Sequence, residues 1–254
     1  MSPVIRECIK RNIDHFIIHS HQHYSENMDS LFFNELKLEV PKYNLQVGSR
    51  PPGEMIAQII TSTEKILLSE KPDWVLVQGD TNTVVAGALA ASKTGIKVGH
   101  IEAGLRSYDR TMPEEINRII TDHISDKLFA PTLKQANILV SENIDRSRIL
   151  VTGNTIVDAI QQNLSLINEH PQKYFLLTLH RPSNVDSSEI LTGLLNTLTL
   201  ISQKYNFPVL FPIHPRTKKQ IDLFHIKVDP DYIKIIEPVG YLKMLSLEKN
   251  AQIN

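Results

Sequence analysis

Three stretches of this sequence set acidic residues beside glycine, alanine or proline just after, or at the head of, an ordered element. They are Gln78-Gly79-Asp80-Thr81-Asn82-Thr83, Gly99-His100-Ile101-Glu102-Ala103-Gly104-Leu105-Arg106 and Met112-Pro113-Glu114-Glu115-Ile116-Asn117-Arg118. Carboxylates so placed can take or give protons, and a glycine turn before a helix leaves backbone N–H groups free to seat a phosphate or carboxylate. Each stretch also has a plainer reading. Asp80 or Thr81 can cap the following helix. Arg106 can be the ion-pair partner of Glu102, or it can neutralise a substrate anion. Pro113 suits a first helical turn, where Glu114 and Glu115 favour the helix dipole and Glu114 meets Arg118 one turn on.

The second half carries Leu179-His180-Arg181-Pro182-Ser183-Asn184 and, one unit later, Ile213-His214-Pro215-Arg216. A histidine beside an arginine at a strand end suits a pyrophosphate or proton transfer near neutral pH. His19-Ser20-His21-Gln22-His23 sets alternate histidines on one face of a strand, a pattern that can hold a metal. No flanking acid or cysteine completes that ligand set, so Gln22 and His23 fit a ligand-facing loop better.

Elements of a definite kind must position these residues. Short apolar runs at 15–20, 73–78, 97–101, 127–130 and 148–152 read as strands, followed by a second series at 173–178, 208–213 and 232–236. Several are almost continuously apolar, as strands covered on both faces are. Helical periods lie between them at 3–10, 25–36, 54–70, 83–94, 114–123, 133–142, 155–168, 187–204 and 217–224. Such alternation predicts an α/β fold with right-handed crossovers and doubly wound parallel sheets, whose ligands sit outside the carboxyl ends of the strands. A boundary near 165–172 predicts two Rossmann-like domains, 1–168 and 169–254. The chain opens on a helix with no strand before it and closes inside another, 242–252, where a strand is due, so the first domain is expected to lack its first strand and the second to be incomplete.

Composition narrows the class. With 27 Lys+Arg against 28 Asp+Glu the net charge is −1, and no basic cluster with interleaved aromatics speaks for nucleic acid. The single cysteine, Cys8, permits no internal disulfide or cysteine metal cluster. It lies with Val4, Ile5 and Ile9 on an apolar helix face, as a buried structural thiol would. No apolar run is long enough to span a bilayer and no signal core opens the chain, so a cytoplasmic protein is expected.

In order along the chain, HSHQHYSENM (19–28), KPDWVLVQGDTNTVVAGALAA (71–91), VGHIEAGLRS (98–107), MPEEINR (112–118), LFAPT (128–132), VTGNTIVDA (151–159), LTLHRPSNVD (177–186) and FPIHPRT (211–217) resemble the non-hydrolysing UDP-N-acetylglucosamine 2-epimerases. The resemblance runs from about residue 2 to the last residue. It implies two Rossmann-like domains arranged as in GT-B enzymes, with UDP-sugar as substrate and UDP-GlcNAc and UDP-ManNAc interconverted, a reaction of polysaccharide biosynthesis. A base removes the C2 proton, UDP leaves by elimination, and UDP returns after C2 is protonated on the opposite face. No metal or other cofactor is implied, and homodimers are common in the family. By matching motif, Asp80, Glu102, Glu114 and His180 correspond to catalytic residues. Gln22, His23, Arg106, Arg181 and His214 correspond to positions that contact substrate or line the nucleotide or regulatory pocket.

The departures carry expectations too. The family's opening strand and its Gly-Thr-Arg-Pro-Glu loop precede the point where this chain starts, and its Asp-Ser-Gly-Gly segment follows the point where it stops. Losing charge-assisted diphosphate contacts costs roughly 1.5–3 kcal/mol each, so weak UDP binding, with turnover slow or absent, is expected of the 254-residue chain. Ser183 stands where an acid is common. Met55 stands where glutamine is usual, which speaks against allosteric control by UDP-GlcNAc. The rivals are a hydrolysing relative that releases ManNAc, a GT-B glycosyltransferase, which gives no reason for the three acids, and an inactive fragment.

Overall fold

The structure, a computed structural model, describes residues 1–21, 33, 35–48, 50–167 and 173–253. The chain divides into two compact units, Met1–Gln162 and Asn163–Asn254. The boundary placed at 168/169 by the sequence lies outside the described residues, as do most of the helix expected at 25–36 and the residues Gln22 and His23.

The first unit begins with α1 (Ser2–Lys10), led by Pro3 in its first turn. Cys8 is half-buried rather than buried, and Ile9 beside it is exposed. Two short strands, β1 (Ile18–His19) and β2 (Tyr43–Asn44), pair in parallel as a sheet of their own. α2 (Pro52–Glu70) starts on proline and stops at Lys71, whose φ of 50° ends the helix in the left-handed region. It buries Met55, Ile59, Thr63 and Leu67, one residue per turn on one face, as a helix laid on a sheet must.

The main sheet follows: β3 (Trp74–Gln78), α3 (Asn82–Lys93), β4 (Lys97–Ile101), α4 (Pro113–Ile124), β5 (Lys127–Ala130), α5 (Leu133–Ser141), β6 (Ile149–Val151) and then α6 (Thr155–Asn163). All four strands are parallel, in the order β3-β4-β5-β6. β4 is central and buries four of its five residues, as its apolar run predicts. β3 reads just as apolar but lies at the sheet's end among the described residues, leaving Trp74 and Leu76 39% and 40% exposed. α3 buries Val84, Val85 and four alanines, small residues that let it approach the sheet closely.

In the second unit, β7 (Phe175–Leu176) leads into α7 (Pro182–Val185) and α8 (Ser188–Tyr205), which Ser187 caps by accepting from Ile190 N. β8 (Val209–Pro212), α9 (Pro215–Leu223), β9 (Ile233–Ile236) and α10 (Tyr241–Asn250) complete it. The strands pair in parallel as β7-β8-β9. Phe175, Val185, Leu191, Val209, Phe211 and Ile233 form its core, each worth about 1.5–3 kcal/mol on full burial. The final helix stops earlier than expected, at Asn250, and Ile253 bridges in parallel to Phe175. Gln252 N donates to Tyr174 O and Leu176 N to Ile253 O, each at 2.9 Å. The returning chain thus flanks β7 on the side away from β8, so the order reverses at β7. The α/β doubly wound class expected from the sequence is the one observed.

Candidate functional site

Parallel pairing brings the first two acidic turns together. Gln78 pairs with Ile101 at the last register position of β3 and β4, so Asp80 and Glu102 leave adjacent strands within two residues of it. Glu102 has φ +70°, a left-handed conformation that non-glycine residues adopt rarely and that concentrates at functional sites. Its Oε1 accepts from Gln78 Nε2 at 2.7 Å, and the same amide nitrogen lies 3.0 Å from Thr155 Oγ1 at the head of α6. Gly79 has φ +84°, and a Cβ there would stand 3.9 Å from Glu102 Oε2. Two strand ends and the head of α6 therefore meet around Gln78 and the Glu102 carboxylate.

Asp80 does not cap α3. Thr81 takes the N-cap position without a side-chain hydrogen bond, and Asp80 Oδ2 instead accepts from Arg118 Nη2. Its backbone carbonyl accepts from Asn117 Nδ2 at 2.9 Å. Arg118 pairs with Asp80 and Glu115, not with Glu114 as helical spacing suggested. Glu115, almost fully buried, accepts from Ser107 N at 2.9 Å, Ser107 Oγ at 3.0 Å and Tyr108 N at 3.0 Å. Burial pushes its carboxyl up, but these bonds and Arg118 together hold it below the usual carboxylate range. Glu114 is exposed on the first turn of α4.

Arg106 requires a correction. It pairs with neither Glu102 nor open solvent: its side chain is 1% exposed, with Nη1 2.7 Å from Asp122 Oδ2 and Nη2 2.6 Å from Glu142 Oε2. A guanidinium enclosed by two protein carboxylates has no face left for a substrate anion, so Arg106 supports the turn that follows Glu102 instead.

In the second unit, His180 and Arg181 leave the carboxyl end of β7, where the strand order reverses and a doubly wound sheet opens a ligand crevice. His180 and His214 bring their rings to 5.6 Å between centroids, tilted by 34°. His214 caps α9, its Nδ1 accepting from Arg216 N at 3.1 Å. Burial lowers its readiness to protonate, and His180 and Arg216 lower it further by repulsion. Arg216 spans both oxygens of Asp186, at 3.1 and 2.5 Å, tying the end of α7 to α9. The buried Thr217 hydroxyl donates to Leu179 O and fixes the backbone just before His180. Arg181 is exposed and makes no ion pair among the described residues.

Sequence spacing missed Gln78, Arg118, His100 and Asp122 as members of this site. Among the described residues, no three or more His, Cys, Asp or Glu are grouped to hold a metal ion, and no helix is long and apolar enough to cross a membrane.

The first unit sets two carboxylates on neighbouring turns, one against a neutral amide and one against a cation; the second unit, taken by itself, sets a histidine pair after its own strands. The family model for UDP-N-acetylglucosamine 2-epimerase matches residues 6–253. A UDP-N-acetylglucosamine 2-epimerase of Methanococcus maripaludis is 54% identical over all of this chain and 73% of its own length. The crystal structure of the Methanocaldococcus jannaschii UDP-GlcNAc 2-epimerase, in complex with UDP-GlcNAc and UDP, superposes with a TM-score of 0.90 at 54% identity, over 99% of this chain and 74% of that one. The Neisseria meningitidis enzyme bound to UDP-GlcNAc gives 0.89 at 32% identity, over 100% and 73%. The chain belongs to the UDP-N-acetylglucosamine 2-epimerase family.

Proposed function

We propose that this chain is an isomerase that interconverts UDP-N-acetylglucosamine and UDP-N-acetylmannosamine. A carboxylate removes the C2 proton, and the released electron pair forms the C1–C2 double bond. The C1–oxygen bond breaks and UDP leaves. Protonation of C2 from the other face and return of the diphosphate oxygen to C1 give the epimer. Asp80, Glu102 and Glu114 are the acids of this reading. His180, Arg181 and His214 serve the diphosphate and its proton traffic. Gln22 and His23, outside the described residues, line the nucleotide pocket.

The observation that carries the reading is Glu102: a carboxylate in left-handed backbone, at a strand end, hydrogen-bonded at 2.7 Å to a neutral amide. Such a group is held in place at a strand end, as proton removal from a weak carbon acid demands. Asp80, held by Arg118, is the electrostatic partner on the neighbouring turn. The enzyme works in the cytoplasm as a homodimer, a state that size-exclusion chromatography with light scattering tests directly.

The decisive experiment is NMR of the chain with UDP-GlcNAc in deuterated water. Deuterium at C2 of UDP-ManNAc is expected, and Glu102→Gln should slow it by about 10²–10⁴-fold. Free ManNAc with UDP and no UDP-ManNAc would establish the hydrolysing reaction instead. Absence of deuterium from both sugars, with folded protein, overturns the reading.

A further inference from the structure

The buried face of α4 is chemically unusual. A packed helix ordinarily turns an apolar stripe inward, yet the buried residues here are Glu115, Asn117, Thr121 and Asp122. Burying polar groups gives little hydrophobic gain, and each must find a partner. Glu115 finds its partners at Ser107 and Tyr108 in the loop after β4 and at Arg118, Asn117 at Asp80 and Asn82, and Asp122 at His100, Gly104 and Arg106.

Asp122 connects to both turns, those of Asp80 and Glu102. It is fully buried, with Oδ1 2.7 Å from His100 Nδ1 and Oδ2 accepting from the backbone N–H of Gly104 at 3.1 Å. His100 is also fully buried, in β4, and its second ring nitrogen lies 2.9 Å from Gly79 O. A carbonyl oxygen can only accept, so Nε2 carries a hydrogen and points it at that carbonyl. The line Asp122–His100–Gly79 therefore ends one residue before Asp80. The contact Asp122–Gly104 ends two residues after Glu102. One carboxylate on one rigid helix fastens both turns. Less than two turns back along the same helix, Asn117 and Arg118 take the carbonyl and carboxylate of Asp80 itself.

We propose that Asp122 is a positioning residue, acting through His100 and the Gly104 amide to fix Asp80 and Glu102 relative to each other, with the polar face of α4 as the jig. The proposal rests on the reading of those two acids as proton-transfer groups. Apolar side chains of equal volume would hold a helix to a sheet at least as well as a buried charge network. What they cannot do is dictate the direction of a peptide carbonyl on one turn and a peptide N–H on another. Misplacement by about 1 Å costs roughly a hundredfold in rate, so orientation of that kind is what this chemistry requires. The titratable and charged groups facing Asp122 are His100 from β4 and Arg106 from the loop after it, and Glu142 closes the far side of Arg106.

Asp122→Asn tests this, because it keeps the side chain's shape and removes its charge and one acceptor. The expected result is a roughly 10–100-fold fall in kcat for C2 deuteration, with KM for UDP-GlcNAc within about threefold. The ¹³C carboxyl resonances of Asp80 and Glu102, and the amide resonances of Gly79 and Gly104, should move in the ligand-free protein. Thr121→Val, on the same buried face but bonded only to its own helix at Asn117 O, controls for general loosening; it should lower the melting temperature and leave kcat and those resonances in place. His100→Gln serves if Asp122→Asn does not fold. Lost stability with unmoved carboxyl resonances and unchanged kcat would overturn the proposal. The resonances need no turnover, so a chain that fails to epimerise sinks the isomerase reading and leaves this one measurable.

Discussion

Arg118 donates through Nη2 to Asp80 Oδ2 across 38 residues of sequence, and through Nη1 to Glu115 at 3.2 Å. A single guanidinium thus joins the β3 turn to the head of α4. Its side chain is 17% exposed, against 29% for Asp80 and 2% for Glu115, so the pair is screened by water far less than a surface ion pair.

Arg118→Gln should therefore act in two ways. Glu115 loses one of its four hydrogen-bond donors, which costs about 1–2 kcal/mol in urea unfolding. Asp80 loses the cation that fixes it, and C2 deuteration should fall by roughly 10–100-fold. A variant that unfolds normally and exchanges normally would show that Asp80 needs no orientation.

Glu115 gives a pH signature. Its folded carboxyl is held below its unfolded value of about 4.3. The charged form accordingly contributes stability that is present above that value and lost as pH falls through the depressed one. Glu115→Gln should be about 1–3 kcal/mol less stable than the parent near neutral pH. The deficit should close as pH drops below the unfolded value, which urea melts across the acid range will follow.

Gly104 and Gly95 make a matched pair. Both have positive φ, +79° and +76°, but a Cβ at Gly104 would stand 2.6 Å from Gln135 O, while at Gly95 it meets nothing within 4 Å. Gly95→Ala should cost only the backbone term, about 1 kcal/mol. Gly104→Ala should cost about 2–4 kcal/mol, since α5 must move as well.

His180→Gln should raise the pKa of His214. The nearby His180 ring, when charged, is one of the causes that hold His214 below the usual histidine value. Following the imidazole C–H resonances by ¹H NMR will read the direction; a downward move would mean that the rings do not interact through charge.

How much of this was legible beforehand depends on the range of the interaction. β4 and β5 were bounded residue for residue from sequence, because buried parallel strands are short apolar runs between polar turns. β2 was missed: Tyr43-Asn44 is two residues with no apolar run to announce it. The acids Asp80 and Glu102 were visible as types at strand ends, but their partners were not. Arg106 reads as the natural mate of Glu102, four residues away, and goes instead to Asp122 and Glu142. Helical spacing pairs Arg118 with Glu114, yet it turns to Asp80. Local periodicity decides which face a residue occupies; only the strand order decides which other face it meets.

Trp74 is the only tryptophan in the chain, and it stands at the amino end of β3, 39% exposed, with Lys97 Nζ 5.5 Å from its ring centroid. Asp80 lies six residues on, past the opposite end of the strand, about 20 Å away at 3.3 Å per residue. Indole emission is consequently a private reporter of β3, the strand that ends this sheet among the described residues. Anything that pairs along that strand will dry the ring and move its fluorescence to the blue, whereas chemistry at the carboxyl ends leaves it dark to the observer. Self-association and substrate binding can be told apart in one cuvette.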